Sequence, residues 1–181
     1  SSRNYGYGGY KYDGRWVKII DDLINKFNLN QNSTLLDLGC AKGYLVHDYN
    51  NNKKVNFAVG LDISIYALME GKKENCNSDL ICGNFTKLPF QDSQFSFIFC
   101  KDSLHNILDK SEICSAISEI NRVGNDSWIR VGAYKTNSQK KIIDNWATLA
   151  TTYLHVDEWL ELFEKASYKG SYDWFHPSED I

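Results

Sequence analysis

The chain reads as an α/β protein, with a mostly parallel sheet of six or seven strands and helices on both faces. Three observations predict this. Short apolar runs of strand length alternate with longer segments whose apolar residues recur at helical spacing. The short runs are nearly continuous in apolar residues, as expected of strands covered on both sides. At 181 residues, with 43% hydrophobic and 24% charged side chains, the chain suits one domain with one sizeable core.

The elements follow in order. Tyr5 to Trp16 is dense in tyrosine and glycine and reads as irregular. Val17 to Phe27 sets Ile19, Ile20, Leu23, Ile24 and Phe27 on one helical face. After a polar break, Thr34 to Leu38 is a short buried strand running into Gly39. The pattern then predicts a helix over Gly43 to Tyr49, a strand over Phe57 to Asp62, and a helix to about Glu74 capped by the Ser64 hydroxyl. Leu80 to Cys82 and Phe95 to Cys100 are the third and fourth strands. A helix from Ser111 carries Ile113, Ala116, Ile117 and Ile120 on one face, and Trp128 to Tyr134 is the fifth strand. Asp157 to Ser167 is amphipathic through Trp159, Leu160, Phe163 and Ala166, and Gly170 to Phe175 is a sixth strand. Residues 1–33 are expected to form an aromatic lid and first helix, and residues 34–181 the ligand-binding domain, in one globular unit.

Composition excludes several classes. The net charge of −3 is spread among dispersed lysines, arginines and acids, without the concentrated basic surface that phosphate neutralisation requires. No nucleic-acid partner is expected. The five cysteines (Cys40, Cys76, Cys82, Cys100, Cys114) never form a CxxC pair, so they read as small core residues in a reducing compartment, with no metal site. No apolar run is long enough for a membrane span or a signal peptide, and a cytoplasmic location is expected. Met69 is the only methionine, so the native start is expected to lie outside this sequence.

The strongest local signal is Leu35-Leu-Asp-Leu-Gly-Cys-Ala-Lys-Gly-Tyr-Leu45. A strand feeds an acid, then a tight glycine turn, then a helix. Glycine lets the backbone approach a ligand closely and adopt left-handed angles. A dinucleotide fingerprint needs glycine at 39, 41 and 44, where Gly39, Ala41 and Tyr44 stand, and no Gly-Lys-Ser/Thr follows. The remaining reading is a nucleoside site without pyrophosphate, with Asp37 suited to a cationic amino-acid ligand. Asp62 ends the second strand, where a carboxylate accepts from ribose hydroxyls. Asn84 and Phe85 follow the third strand, and suit either an adenine contact or an ordinary turn.

These three segments, with Phe95-Ser-Phe-Ile-Phe-Cys-Lys-Asp-Ser-Leu-His105 after them, resemble the ordered motifs of class I S-adenosylmethionine (SAM)-dependent methyltransferases over about Thr34 to Tyr134. The resemblance implies a Rossmann-like fold, SAM as cofactor and S-adenosylhomocysteine (SAH) as product. It places Asp37, Gly39 and Gly43 at the methionine end and Asp62 at the ribose. It sets Asn84 and Phe85 about the adenine, and Lys101 and Asp102 near the sulfonium. Cys40, Ala41 and Ile63 join the cofactor site. Many relatives carry glycine where Ala41 stands and an acid where Asn84 stands, and the family's usual antiparallel last strand is expected to be missing or displaced.

Methyl transfer needs alignment, plus a base when the acceptor is a hydroxyl. His105 after the fourth strand is the first candidate for that base, with Asp102 a rival and His155 a third on the substrate side. No proline follows the fourth strand, which disfavours exocyclic base methylation and leaves hydroxyl, carboxyl or small-amine acceptors. The opening Tyr7-Gly-Gly-Tyr-Lys-Tyr-Asp-Gly-Arg-Trp16 reads as a lid, with Tyr10, Tyr12, Arg15 and Trp16 turned to substrate. It is similar to the openings of bacterial methyltransferases of surface-polysaccharide biosynthesis. Trp146 joins His155 as a candidate wall of the acceptor pocket. The expected reaction is methylation of a small polar acceptor, an oxygen of a sugar or sugar-linked group in capsule or lipopolysaccharide. The alternatives are a small-metabolite methyltransferase unrelated to the cell surface, and a non-catalytic SAM-binding module of a larger protein.

Overall fold

Period-two alternation along buried strands splits the core into two halves. Leu36, Leu38, Ile98 and Cys100 pack on one face of the sheet, against Ile113, Ile117 and Trp159. Leu35, Phe97 and Phe99 pack on the other, against Ile20, Leu45 and Tyr49. The computed structural model that shows this describes residues 11–74, 78–146 and 152–177.

The strands are β1 (Thr34–Leu38), β2 (Phe57–Asp62), β3 (Asp79–Cys82), β4 (Phe95–Lys101), β5 (Gly124–Tyr134), β6 (Leu154–His155) and β7 (Ser171–Phe175). The helices are α1 (Trp16–Phe27), α2 (Tyr44–Asn50), α3 (Ile65–Lys73), α4 (Lys110–Val123), α5 (Asn137–Trp146) and α6 (Val156–Lys165). The sheet runs β3-β2-β1-β4-β5-β6, with β7 also on β5, and every strand pairing among the described residues is parallel. The chain leaves β1 toward β2 and β3 on one side, then returns to lay β4 and β5 on the other. That reversal opens a crevice at the carboxyl ends of β1 and β4, the place where open parallel sheets bind ligands.

Most predicted elements stand within a few residues of their expected ends. The Ser64 cap of α3 holds, its Oγ accepting from the Ala67 N–H at 3.2 Å. Helix α4 begins one residue earlier than expected, at Lys110, and is capped by Asp109, whose carboxylate accepts from the Ser111 and Glu112 N–H groups at 2.6 and 3.3 Å. Strand β5 begins four residues earlier than expected, at Gly124. Two elements had no strong period in the sequence: polar α5, and β6, too short to show an alternation. On the outer edge of β5, β7 pairs with Trp128–Gly132 and β6 with Ala133 and Tyr134.

Trp159 anchors the α6 face. It is fully buried, and its Nε1–H donates to the Gly132 carbonyl at 3.1 Å, so the indole is packed without leaving a donor unpaired. No helix among the described residues is long and apolar enough to cross a membrane.

Candidate cofactor and acceptor cleft

The crevice is a cleft of about 640 Å³, within the range that holds small molecules. Its first wall is the turn after β1. Gly39, Ala41 and Gly43 all have left-handed backbone, with φ of 83°, 49° and 74°. The Gly39 and Cys40 N–H groups donate to the Leu61 carbonyl at 2.8 and 3.2 Å, tying the turn to β2. A Cβ on Gly39 would stand 2.0 Å from Ser103 Oγ, so this glycine allows the loops after β1 and β4 to meet. Sequence reasoning did not single out Ser103, because only the crossing of two distant loops gives it a role.

Asp62 closes the same wall. One carboxylate oxygen accepts from the Ala41 N–H at 2.9 Å and the other from the Ser64 N–H at 2.8 Å. The side chain is therefore held at the mouth of the cleft with lone pairs to spare. Ile63, Asn84 and Phe85 line the cleft beside it. Asn84 is also a turn residue, its Oδ1 accepting from the Thr86 N–H at 3.0 Å. The turn reading holds, and the residue still lines the cleft.

Asp37 lies deeper, 5% exposed, and still lines the cleft. Burial, and the Asp62 charge second, lift its carboxyl from the usual range to about 7. Across the crevice, Lys101 ends β4 and Asp102 follows it, with Nζ of Lys101 donating to Oδ2 of Asp102 at 2.7 Å. Burial lowers the Lys101 ammonium and raises the Asp102 carboxyl, since neither charge is well solvated there. Asp102 has left-handed backbone, with φ of 54°, a conformation aspartate tolerates better than most residues.

The opening segment contributes a third wall. Lys11, Asp13, Arg15 and Trp16 line the cleft, and Arg15 Nε donates to both Asp13 oxygens at 2.9 Å. Trp16 lies edge-on to Phe99, with Lys101 Nζ 5.9 Å from its ring centroid. Tyr12 is placed differently from the expectation. It turns from the cleft to α2, donating to Asp48 Oδ1 and packing edge-on to Tyr44 and His47. Tyr10 and the Trp146 side chain lie outside the described residues.

The two histidines expected at the acceptor are corrected by their surroundings. His105 is 5% exposed and does not line the cleft. Its Nδ1 accepts from the Gly132 N–H at 3.0 Å, and its ring stacks on Tyr153 at 5.0 Å. Burial pushes its pKa down to about 4, so the ring is neutral and serves to fix β5. His155 caps α6 in a reciprocal box with Glu158, its Nδ1 accepting from the Asp157 N–H at 3.2 Å. Gly43 also stands outside the lining, and serves as the start of α2.

The donor set fits SAM. A bare glycine wall, a carboxylate at each end of one flank and an apolar pair at Ile63 and Phe85 suit a cationic nucleoside, and no phosphate cradle is present in the turn. Comparison with known proteins agrees. A family profile described as a methyltransferase domain matches residues 36–126. An uncharacterized protein of Methanocaldococcus jannaschii is 28% identical over 118 residues, covering 65% of this chain and 43% of that one. A malonyl-[acyl-carrier protein] O-methyltransferase of Legionella pneumophila is 24% identical over 134 residues, covering 72% and 46%. The chain thus spans a little under half the length of these curated relatives. Among solved structures, a complex of the Haloferax volcanii Trm112 methyltransferase activator with a methyltransferase matches with TM-score 0.61 at 20% identity, covering 85% of this chain and 72% of that one. A SAM-dependent methyltransferase of Clostridium acetobutylicum matches with TM-score 0.52 at 21% identity, covering 64% and 48%.

Proposed function

The chain belongs to the methyltransferase domain family, as a class I SAM-dependent methyltransferase, and on that premise we propose that it methylates an oxygen of a small polar acceptor. One observation carries the reading. A single cleft joins a cofactor flank (Asp37, Gly39, Asp62) to a flank of partly neutralised charge (Lys101, Asp102) across the β1/β4 reversal.

SAM supplies a methyl group already activated by its sulfonium. The protein's work is then to bind, align and exclude water. Asp62 is placed to accept from the ribose hydroxyls while Ala41 and Ser64 hold it still. Asp37 faces the cationic amino-acid end, where its buried charge is offset by ligand charge. Ile63 and Phe85 supply apolar walls for the adenine. Arg15 and Trp16 line the third wall, with Asp13 holding the Arg15 guanidinium until a ligand carboxylate or phosphate competes for it.

For the acceptor, a sugar or sugar-linked hydroxyl remains our reading. It rests on the tyrosine-rich opening, whose Arg15 and Trp16 stand in the cleft. A surface-polysaccharide role rests on the same segment and finds no support among the relatives reported above. The test is calorimetric titration of the purified chain with SAM and with SAH, on wild type and Asp62→Ala, followed by a transfer screen beginning with nucleotide sugars. Binding of both ligands, lost in the variant, supports the cofactor site. No binding by folded wild type overturns it.

A further inference from the structure

Among the described residues, the four most exposed large hydrophobic side chains are Leu108, Ile63, Tyr66 and Ile65, at 75%, 72%, 72% and 58%. All four stand at the same end of the sheet. Ile63 follows β2, and Ile65 and Tyr66 open helix α3 just beyond it. Leu108 lies in the loop after β4, shortly before α4. These are the carboxyl ends of parallel strands, where the cleft opens. Ile63 and Leu108 line the cleft themselves, one on each flank. Ile65 and Tyr66 carry the apolar surface outward from Ile63 beyond the lining, so a bound cofactor does not account for them. Single exposed apolar residues are ordinary, but gathering the four most exposed around one opening marks a place where apolar matter binds.

We propose that this rim seats an alkyl or acyl chain, and that the acceptor is an amphiphile whose polar end enters the cleft while its chain rests on the rim. The inference rests on the methyl-transfer reading above and narrows its acceptor class. The position of the rim selects this occupant. It borders the opening on both flanks, so a protein or a second copy seated on both lips would cover the cleft that an acceptor must enter. A chain attached to the acceptor meets the rim in the course of that entry. A free sugar would leave Leu108 and Tyr66 in water, whereas a chain laid against them gains affinity with the apolar area removed from water. Asn106 and Glu112, near Leu108 in sequence, also line the cleft and suit the polar end.

The test uses the SAH-loaded chain and two probes that share one sugar head: octyl β-glucoside, kept below its micelle concentration, and methyl β-glucoside. Calorimetry on wild type should show octyl glucoside bound about tenfold or more tightly than methyl glucoside, as the burial of about two methylenes provides. In a double variant, Leu108→Ser with Tyr66→Ser, the preference should fall to about threefold or less. SAH affinity should stay within about threefold, because substitutions at exposed positions leave the fold intact. Phe57→Thr, at an exposed hydrophobic on the amino end of β2, should keep the full preference. No preference in wild type, a preference surviving the double variant, or equal loss in Phe57→Thr would overturn the proposal. So would a dimer in sedimentation, or binding to phosphatidylcholine vesicles without the octyl preference, if the double variant abolished it; the rim would then belong to a second copy or to a bilayer. Folded wild type that binds no SAH would instead sink the cofactor premise, and this inference with it.

Discussion

The two flanks of the cleft are built by different means. On the β1–β2 flank, the polar groups are held by backbone: Asp62 by two N–H groups, the glycine turn by the Leu61 carbonyl. On the β4–β5 flank, side chains hold one another, as in the Lys101–Asp102 pair with Arg130 close by. The backbone-held groups stay where the hydrogen bonds of the turn fix them. Clustered side chains in a poorly solvated corner have their charges pushed toward neutrality by burial. The first arrangement fixes its groups in place, and the second makes their charge depend on one another.

The largest expected effect lies on the first flank. Asp62→Ala removes the acceptor of two backbone donors as well as the proposed ribose contact, and should weaken SAM and SAH by roughly a hundredfold in calorimetry. An effect under about threefold would break the comparison, because recognition would then not depend on the backbone-held carboxylate. Gly39→Ala should come next. Its Cβ would meet Ser103 Oγ at 2.0 Å from a left-handed backbone, and a stability loss of about 2 kcal/mol or more is expected in denaturant melts. Pairing it with Ser103→Gly should recover part of that loss and leave the backbone part.

Asp37 sharpens the contrast by pH. Its carboxyl is raised to about 7 in the folded chain and titrates near 3.9 when unfolded. Between these values the folded state holds the extra proton, so the stability this group contributes is greatest at acid pH and is lost as pH rises to about 7. Asp37→Asn should therefore be more stable than wild type at pH 8, by about 1 kcal/mol or more, with the gain gone near pH 4. The same variant should bind SAM more weakly at pH 8. A gain that does not fade with acid would mean that the charge is not the cause.

The smallest effect on ligand should come from His105→Ala. Losing the acceptor for the Gly132 N–H and opening a cavity should cost about 1–3 kcal/mol of stability, while SAM affinity stays within about twofold. Weak binding in a fully folded sample would return His105 to the site.

Legibility divided along the same line. The positions of Asp37, Gly39 and Asp62 were readable because each sits at a strand end, marked by a local pattern of apolar run, acid and glycine. Ser103 was not, since its importance is a contact with a turn more than sixty residues away. His105 was placed correctly after β4 and wrongly in the cleft, because the short 3-10 turn Leu104–Asn106 carries it toward Gly132. His155 reads as a substrate residue only until Glu158 and Asp157 show it capping a helix.

The sequence by itself determined the strand-and-helix alternation, the parallel sheet and the acid-and-glycine wall of the cleft, because these depend on period, backbone angles and the residue at a strand's end. Only the tertiary structure decided which charges meet beyond β4, which histidine is sealed, and how β6 and β7 share one edge of β5. Those outcomes turn on burial and on contacts between segments far apart in the chain, and burial is what sets whether an acid or a histidine carries its charge.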